Sequence, residues 1–357
     1  MMNNDEMETA LRRRFKNGLI GLALLIATGC ATAPVEKKGP SIFWPQPPDV
    51  PKITFVQSLS EPKDIGMQRS WFKKVIEFIF GEEEPPHIVR PAGIAVDEEG
   101  GVYVADTGLQ AVHYFNQNPP SYRQFFHISP TERLQNPIGV AVDGAKQLYV
   151  SDSGLNRIFV FDPKGKRVRV IGNDEEIQRV SGIAIDRTRG VLYAVDTLGH
   201  QIVQYTLLGE KKGSIGKRGV GEGEFNFPTY ATVDSKGFLY ISDSLNFRVQ
   251  VFDPEGRYQA QMGSLGSTLG QFSRPKGVAV DGASNIYVVD TLFDNVQIFN
   301  TSGELLLHFG KSGIEPGTFW LPTGIAVDRK GRIYVADSYN QRVQVFQLLE
   351  EESPVPG

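Results

Sequence analysis

Pro322-Thr-Gly-Ile-Ala-Val-Asp328, then Ile333-Tyr-Val-Ala-Asp337, then Arg342-Val-Gln-Val-Phe346 is the clearest of six copies of one pattern in this chain of 357 residues. The other five begin at Pro91, Pro137, Val180, Pro228 and Pro275, and their first runs end on Asp97, Asp143, Asp186, Asp234 and Asp281. Nine or ten residues later a second aspartate closes an apolar run, at Asp106, Asp152, Asp196, Asp243, Asp290 and Asp337. Successive copies lie 43 to 48 residues apart. A period of that size, with several short apolar runs per unit, is the sequence signature of a propeller blade. Six copies predict an all-β, six-bladed β-propeller.

The fourth copy shows how one blade is read. Thr229 to Asp234 is a strand of small residues, suited to a crowded channel wall, and Ser235-Lys-Gly237 is a turn. Phe238 to Asp243 is a second strand, Ser244-Leu-Asn246 turns the chain, and Arg248 to Phe252 alternates polar and apolar as a half-buried strand does. Asp253-Pro-Glu-Gly256 is a turn, Tyr258 to Met262 is the outer strand, and Gly263 to Phe272 is the linker to the next blade. The pattern resembles the NHL repeat in its Pro-x-Gly-Ile-Ala-Val-Asp start, its Tyr-Val-Ala-Asp-Ser-x-Asn-x-Arg-Val-Gln-Val-Phe middle and its Phe-Gly and Gly-x-Phe ending. The resemblance covers about three quarters of the chain. It implies the fold, with repeats at about 91–133, 134–177, 178–224, 225–271, 272–318 and 319–349 within a propeller body of 85–349, and implies little about activity.

The last copy ends near Leu349 without an outer strand, and residues 350–357 read as a disordered tail. Ile53-Thr-Phe-Val-Gln-Ser-Leu59 alternates like such a strand, precedes the first copy and would remove two exposed edges by closing the ring. It opens a segment, 53–84, that also holds a short amphipathic helix at 71–80. Trp71, Phe72, Val75, Ile76 and Ile79 form its apolar face and Lys73, Lys74 and Glu77 its polar one. Packing on the propeller is the expected use of that face, with a membrane or partner contact as the second reading.

The N-terminus reads as an address. Arg12, Arg13, Arg14 and Lys16 precede an apolar run from Leu19 to Ala27, too short to span a bilayer, and then come Thr28, Gly29 and Cys30. This ending resembles the bacterial lipoprotein box, departing from it at Ala27, where leucine is usual. The resemblance implies removal of residues 1–29 and lipid attachment to Cys30, the only cysteine. Ala31, by resemblance to Gram-negative lipoproteins, implies an exported, membrane-anchored protein in the outer membrane, facing the periplasm. Residues 30–52 are proline-rich and read as a tether.

The net charge of −4 supplies no global field for nucleic acid, and export removes that ligand altogether. The second aspartate of each copy is expected to cap its turn, and the arginine five residues on to pair with a carboxylate, giving structural pairs Asp152 with Arg157, Asp243 with Arg248 and Asp337 with Arg342. Copies that break the pattern are candidates for function. His200 and Asp294 sit in irregular turns; Tyr230, Arg274, Lys276 and Trp320 lie between blades on the same face. Together they are expected to converge as a binding face around the channel mouth, with His200→Ala or Trp320→Ala weakening binding and changing stability little. The turns at Asp97 and at Asp253, with Lys236 and Glu255, are expected to emerge opposite.

The segment Asp196-Thr-Leu-Gly-His200-Gln-Ile202 resembles one histidine segment of the peptidyl-hydroxyglycine lyases, which hold zinc with three histidines. The remaining histidines, His87, His113, His127 and His308, occupy no equivalent loop, and one imidazole does not make a catalytic zinc site. A gluconolactonase-like calcium site needs carboxylates where the inner strands here carry Ala, Val, Ile and Gly. The sequence therefore predicts no metal, no cofactor and a binding or scaffold role, for a protein, a peptide or an envelope glycan, with an envelope enzyme of either propeller type as the alternative.

Overall fold

The computed structural model describes residues 42–46, 48–67 and 86–349. The signal segment, Cys30, the helix expected at 71–80 and the tail from 350 lie outside the described residues. Six antiparallel sheets follow one another, and the first blade is typical, with strands Pro91–Val96, Val102–Asp106, Ala111–Gln117 and Pro120–Phe125. Small residues and β-branched residues make the inner two strands of each blade; alternation and a turn dipeptide make the outer pair. The inner strands Pro91–Val96, Pro137–Val142, Val180–Asp186, Pro228–Val233, Pro275–Val280 and Pro322–Val327 pack in succession around a central channel. The apolar side chains form six clusters, each between two neighbouring blades, so the core is a ring of interfaces.

The sixth sheet is completed by residues from the other end of the chain. Its order is Phe43–Trp44, Ile53–Leu59, Arg342–Leu348, Arg332–Asp337 and Pro322–Val327. Ile53 pairs with Leu348 and Leu59 with Val343, and both Ile53 and Leu59 are buried. The second half of the expected tether is not a tether. Phe43–Trp44 adds a fifth strand to this sheet, and the Trp44 ring lies 5.8 Å from Phe309 and 5.6 Å from Phe346. Aromatic burial of that kind outweighs the extended preference of the surrounding prolines.

The inner strands approach one another closely. A Cβ at Gly182 would meet the Thr229 carbonyl at 2.6 Å and Tyr230 Cα at 2.7 Å, and one at Gly277 would meet the Thr323 carbonyl at 2.5 Å. Gly93, Gly139 and Gly324 hold the equivalent places. The fourth blade alone puts a side chain there, Tyr230.

Candidate functional site

The repeated aspartates define the two ends of the channel. Asp152 accepts the amides of Gln135 and Asn136, which lead into the inner strand, and those of Gly154 and Leu155 in the turn after the second strand. One carboxylate thus ties linker and turn together on one face, as expected for a turn cap. On the opposite face the first aspartate closes the turn after the inner strand. Asp143 accepts the amides of Ala145 and Gln147, and Asp234 those of Lys236 and Phe238. The turn at Asp253 lies on that second face too, where Arg189 reaches the Pro254 carbonyl and Glu255.

The structural pairs hold in two of three blades. Arg248 Nε donates to Asp243 at 2.9 Å, and Arg342 Nε to Asp337 at 2.8 Å. Arg157 instead turns to Asp174 in the following linker, through two bonds of 2.8 and 3.2 Å. The correction has a local cause: Asp152 is already filled by four amides, whereas Asp174 is exposed and open to the guanidinium fork. Hydrogen bonds from Arg157 and then Asn156 bring the Asp174 carboxyl down to about 2. In the first blade Ala111 stands where the arginine would, and His113, at the position of Gln250 and Gln344, meets the aspartate instead, with Nε2 3.1 Å from Asp106 and Nδ1 2.7 Å from the Tyr122 hydroxyl. Burial acts to raise the Asp106 carboxyl, but the His113 bond and the amides of Val89 and Arg90 outweigh it and hold it below the usual range.

The six candidates separate into three groups. His200 and Asp294 are buried, at turn positions with φ of 53° and 50°. The His200 ring accepts the Phe227 amide at 3.2 Å and Asp294 accepts the Leu321 amide at 2.7 Å, each from the next blade. Asn156, at the same turn position, accepts the Val180 amide at 3.0 Å. These side chains staple neighbouring blades, so His200→Ala is expected to lower stability, where the sequence reading expected little change. Tyr230 lines the channel, where a cavity of about 650 Å³ runs from the turns at Asp97, Asp186 and Asp328 up to Gly93, Gly139, Gly182 and Tyr230. Burial pushes the Tyr230 phenol up, and a hydrogen bond with Thr323 opposes this only partly. The cavity opens on the face away from the loops at Asp152 and Asp243. There Arg187 of the third blade and Arg329 of the sixth both reach Glu98 of the first, at 3.2 and 2.8 Å.

Arg274, Lys276 and Trp320 form the third group, on the loop-rich face. Arg274 and Trp320 are exposed; Lys276 is half-buried at the start of its inner strand, and burial, with Arg274 beside it, holds its ammonium below the usual lysine range. The Trp320 and Tyr339 rings meet at a tilt of 38°, centroids 5.6 Å apart, and Arg90 lies over the Tyr339 ring at 5.7 Å. The sequence reading missed Arg90, Arg179 and Tyr339. The first two occupy the same place as Arg274, directly before the inner strand, and aligning the six copies exposes that recurrence. Among the described residues no group of three His, Cys, Asp or Glu side chains is gathered as a metal site.

Two protein-family models match the sequence. The NHL repeat matches residues 319–346, and a 6-bladed beta-propeller family matches residues 134–215. The chain is a six-bladed β-propeller whose last repeat matches the NHL repeat. Similar solved structures include a streptogramin B lyase, 14% identical with TM-score 0.56, covering 73% of this chain and 94% of the lyase. A gluconolactonase from Xanthomonas campestris is 14% identical with TM-score 0.57, covering 73% of this chain and 87% of that one. A chain of a nidogen/laminin complex is 21% identical with TM-score 0.52, covering 69% and 84%. At such identities the likeness is one of fold. No curated protein matches the sequence.

Proposed function

We propose that this propeller is a lipid-anchored binding module of the cell envelope, attached through Cys30, that holds a protein or peptide, or an envelope glycan, on its loop-rich face. The observation that carries the reading is the combination around Arg274, Lys276 and Trp320. Two adjacent cations, one of them half-buried, make no ion pair among the described residues, and the same face carries an exposed aromatic pair with Arg90 over one of its rings. Exposed tryptophan, tyrosine and arginine are the residue types enriched where a partner covers a protein surface.

The test is crosslinking in living cells, with a photoreactive residue at Leu198 or Trp320 on this face and at Lys236 or Glu255 on the other. Adducts are expected from the first pair. Adducts from the second pair alone would invert the assignment, and stoichiometric zinc or calcium on the purified protein would favour an envelope enzyme instead. For the anchor, Cys30→Ser is expected to release the protein from the membrane fraction; a variant that still sediments with membranes ends the lipoprotein reading.

A further inference from the structure

The loop-rich face carries a finer pattern than its blades require. The residue before the inner strand is arginine in the first, third and fifth blades: Arg90, Arg179 and Arg274. In all three the backbone is fully used. The Arg90, Arg179 and Arg274 amides donate to Asp106, Asp196 and Asp290, and their carbonyls accept the amides of Thr107, Thr197 and Thr291. The side chains are not used in this way. All three are exposed and form no ion pair among the described residues, unlike Arg157, Arg248 and Arg342 on the same face.

The carboxylates that take their amides cannot turn to meet them. Asp106, Asp196 and Asp290 are completely buried and filled by amides: Asp196 takes those of Gln178, Arg179 and Gly199, and Asp290 those of Ser273, Arg274 and Leu292. Lys276 adds a fourth cation, whose charged form is disfavoured by its surroundings and would be stabilised by an arriving anion.

The same three blades also present an exposed leucine in the turn after the second strand. Leu109, Leu198 and Leu292 are 40%, 42% and 51% exposed, and Trp320 and Tyr339 of the sixth blade are 47% and 51% exposed. The corresponding Leu155 and Leu245 of the second and fourth blades are only half-exposed. Alternate blades therefore offer a cation and an apolar group together, three times around the channel mouth.

Resting on the reading of this face as the binding surface, we infer that its occupant is an acidic peptide segment of a partner protein, carrying apolar side chains between its carboxylates. Each carboxylate meets an arginine fork or Lys276, and each apolar side chain meets a leucine or the Trp320–Tyr339 pair. A glycan supplies no apolar anchors for the leucines. A lipid headgroup supplies one anionic centre where the face offers several, separated from blade to blade.

The probes are two short fluorescent peptides of repeating Glu-Leu-Gly and repeating Lys-Leu-Gly, read by anisotropy on the full chain in detergent, with phosphatidylglycerol-containing vesicles as a third. The acidic peptide is expected to bind and to weaken as salt rises. Arg179→Glu and Arg274→Glu should each lower its affinity by about tenfold, and Leu198→Ser or Leu292→Ser should lower it with less salt dependence. Equal binding of the two peptides, no binding of the acidic one, or indifference to both arginine reversals overturns the inference. Vesicle binding that the arginine reversals abolish, with none for the peptide, assigns the face to lipid and overturns it too. Crosslinking from Leu198 in the double reversal separates this from the parent reading. Adducts that persist there sink the acidic partner alone, whereas no adducts even in the unaltered chain sink the face itself.

Discussion

His200→Ala puts the stapling geometry to a quantitative test. The ring accepts the Phe227 amide at 3.2 Å and meets the Phe227 ring edge-on, centroids 4.7 Å apart. Alanine removes both contacts without giving the amide a new partner. An orphaned, partly buried N–H costs about 1–3 kcal/mol, and the aromatic contact contributes about 0.5–1.5 kcal/mol. The left-handed backbone at φ 53° is adopted more readily by histidine than by alanine, so it adds to the loss. The expected loss is about 2–4 kcal/mol, which corresponds to a fall in melting temperature of roughly 4–10 °C for a domain of this size. His200→Asn is the control, because Asn156 already performs the same task at the same turn position with φ 54°. It should keep most of the stability. Urea and thermal unfolding of the three proteins decide the matter; an alanine variant that melts with the parent, or an asparagine variant as unstable as the alanine one, would refute the staple.

Closure of the ring is tested by Ile53→Ala and Leu59→Ala, each expected to cost about 2–5 kcal/mol as buried aliphatics of the closing strand; a chain lacking residues 31–60 that unfolds like the intact one would contradict that. Gly182→Ala should destabilise by about 1–3 kcal/mol, since its Cβ would face the backbone of Thr229 and Tyr230 at 2.6–2.7 Å, while Gly213→Ala, with nothing within 4 Å, should be neutral or mildly stabilising in the same melts. The Lys276 ammonium loses its proton below the usual 10.5. Between its lowered value and 10.5 the unfolded chain holds more protons, so stability rises with pH there while affinity for the acidic peptide falls. Lys276→Arg should keep affinity flat through that window, and identical pH profiles for the two proteins would remove Lys276 from the site.

The repeat period made the propeller and its capping aspartates legible, because a blade needs the same small inner strand and the same turn cap each time. Ile53 to Leu59 was readable from its alternation alone. Trp44 was not: the prolines around it read as an extended segment, and only the ring contacts with Phe309 and Phe346 show that the chain is docked there. Arg157 misled for a related reason. Its spacing from Asp152 matches the true pairs, but the sequence does not reveal that the linker brings a freer carboxylate, Asp174, within reach.

His200 and Asp294 show why irregularity in a repeat is a poor marker of function by itself. Asn156, His200 and Asp294 differ in size and charge, yet each brings a hydrogen-bond acceptor to an amide at or directly before the inner strand of the next blade. Their variety is tolerated because an amide that is otherwise unserved needs only an acceptor; Phe247 stands at the same turn position before a blade whose Arg274 amide Asp290 already takes. At Arg90, Arg179 and Arg274 the division of labour is reversed. There the backbone alone meets the needs of the fold, through an aspartate on one side and a threonine amide on the other, and Asn136, Phe227 and Leu321 fill the same place in the remaining blades. A side chain so released from structural duty keeps its charge in water unless a ligand meets it. The telling signal is therefore not departure from the repeat but a position whose backbone is fully engaged and whose charged side chain makes no ion pair among the described residues, and this face gathers three of them, Arg90 with the Tyr339 ring beneath it.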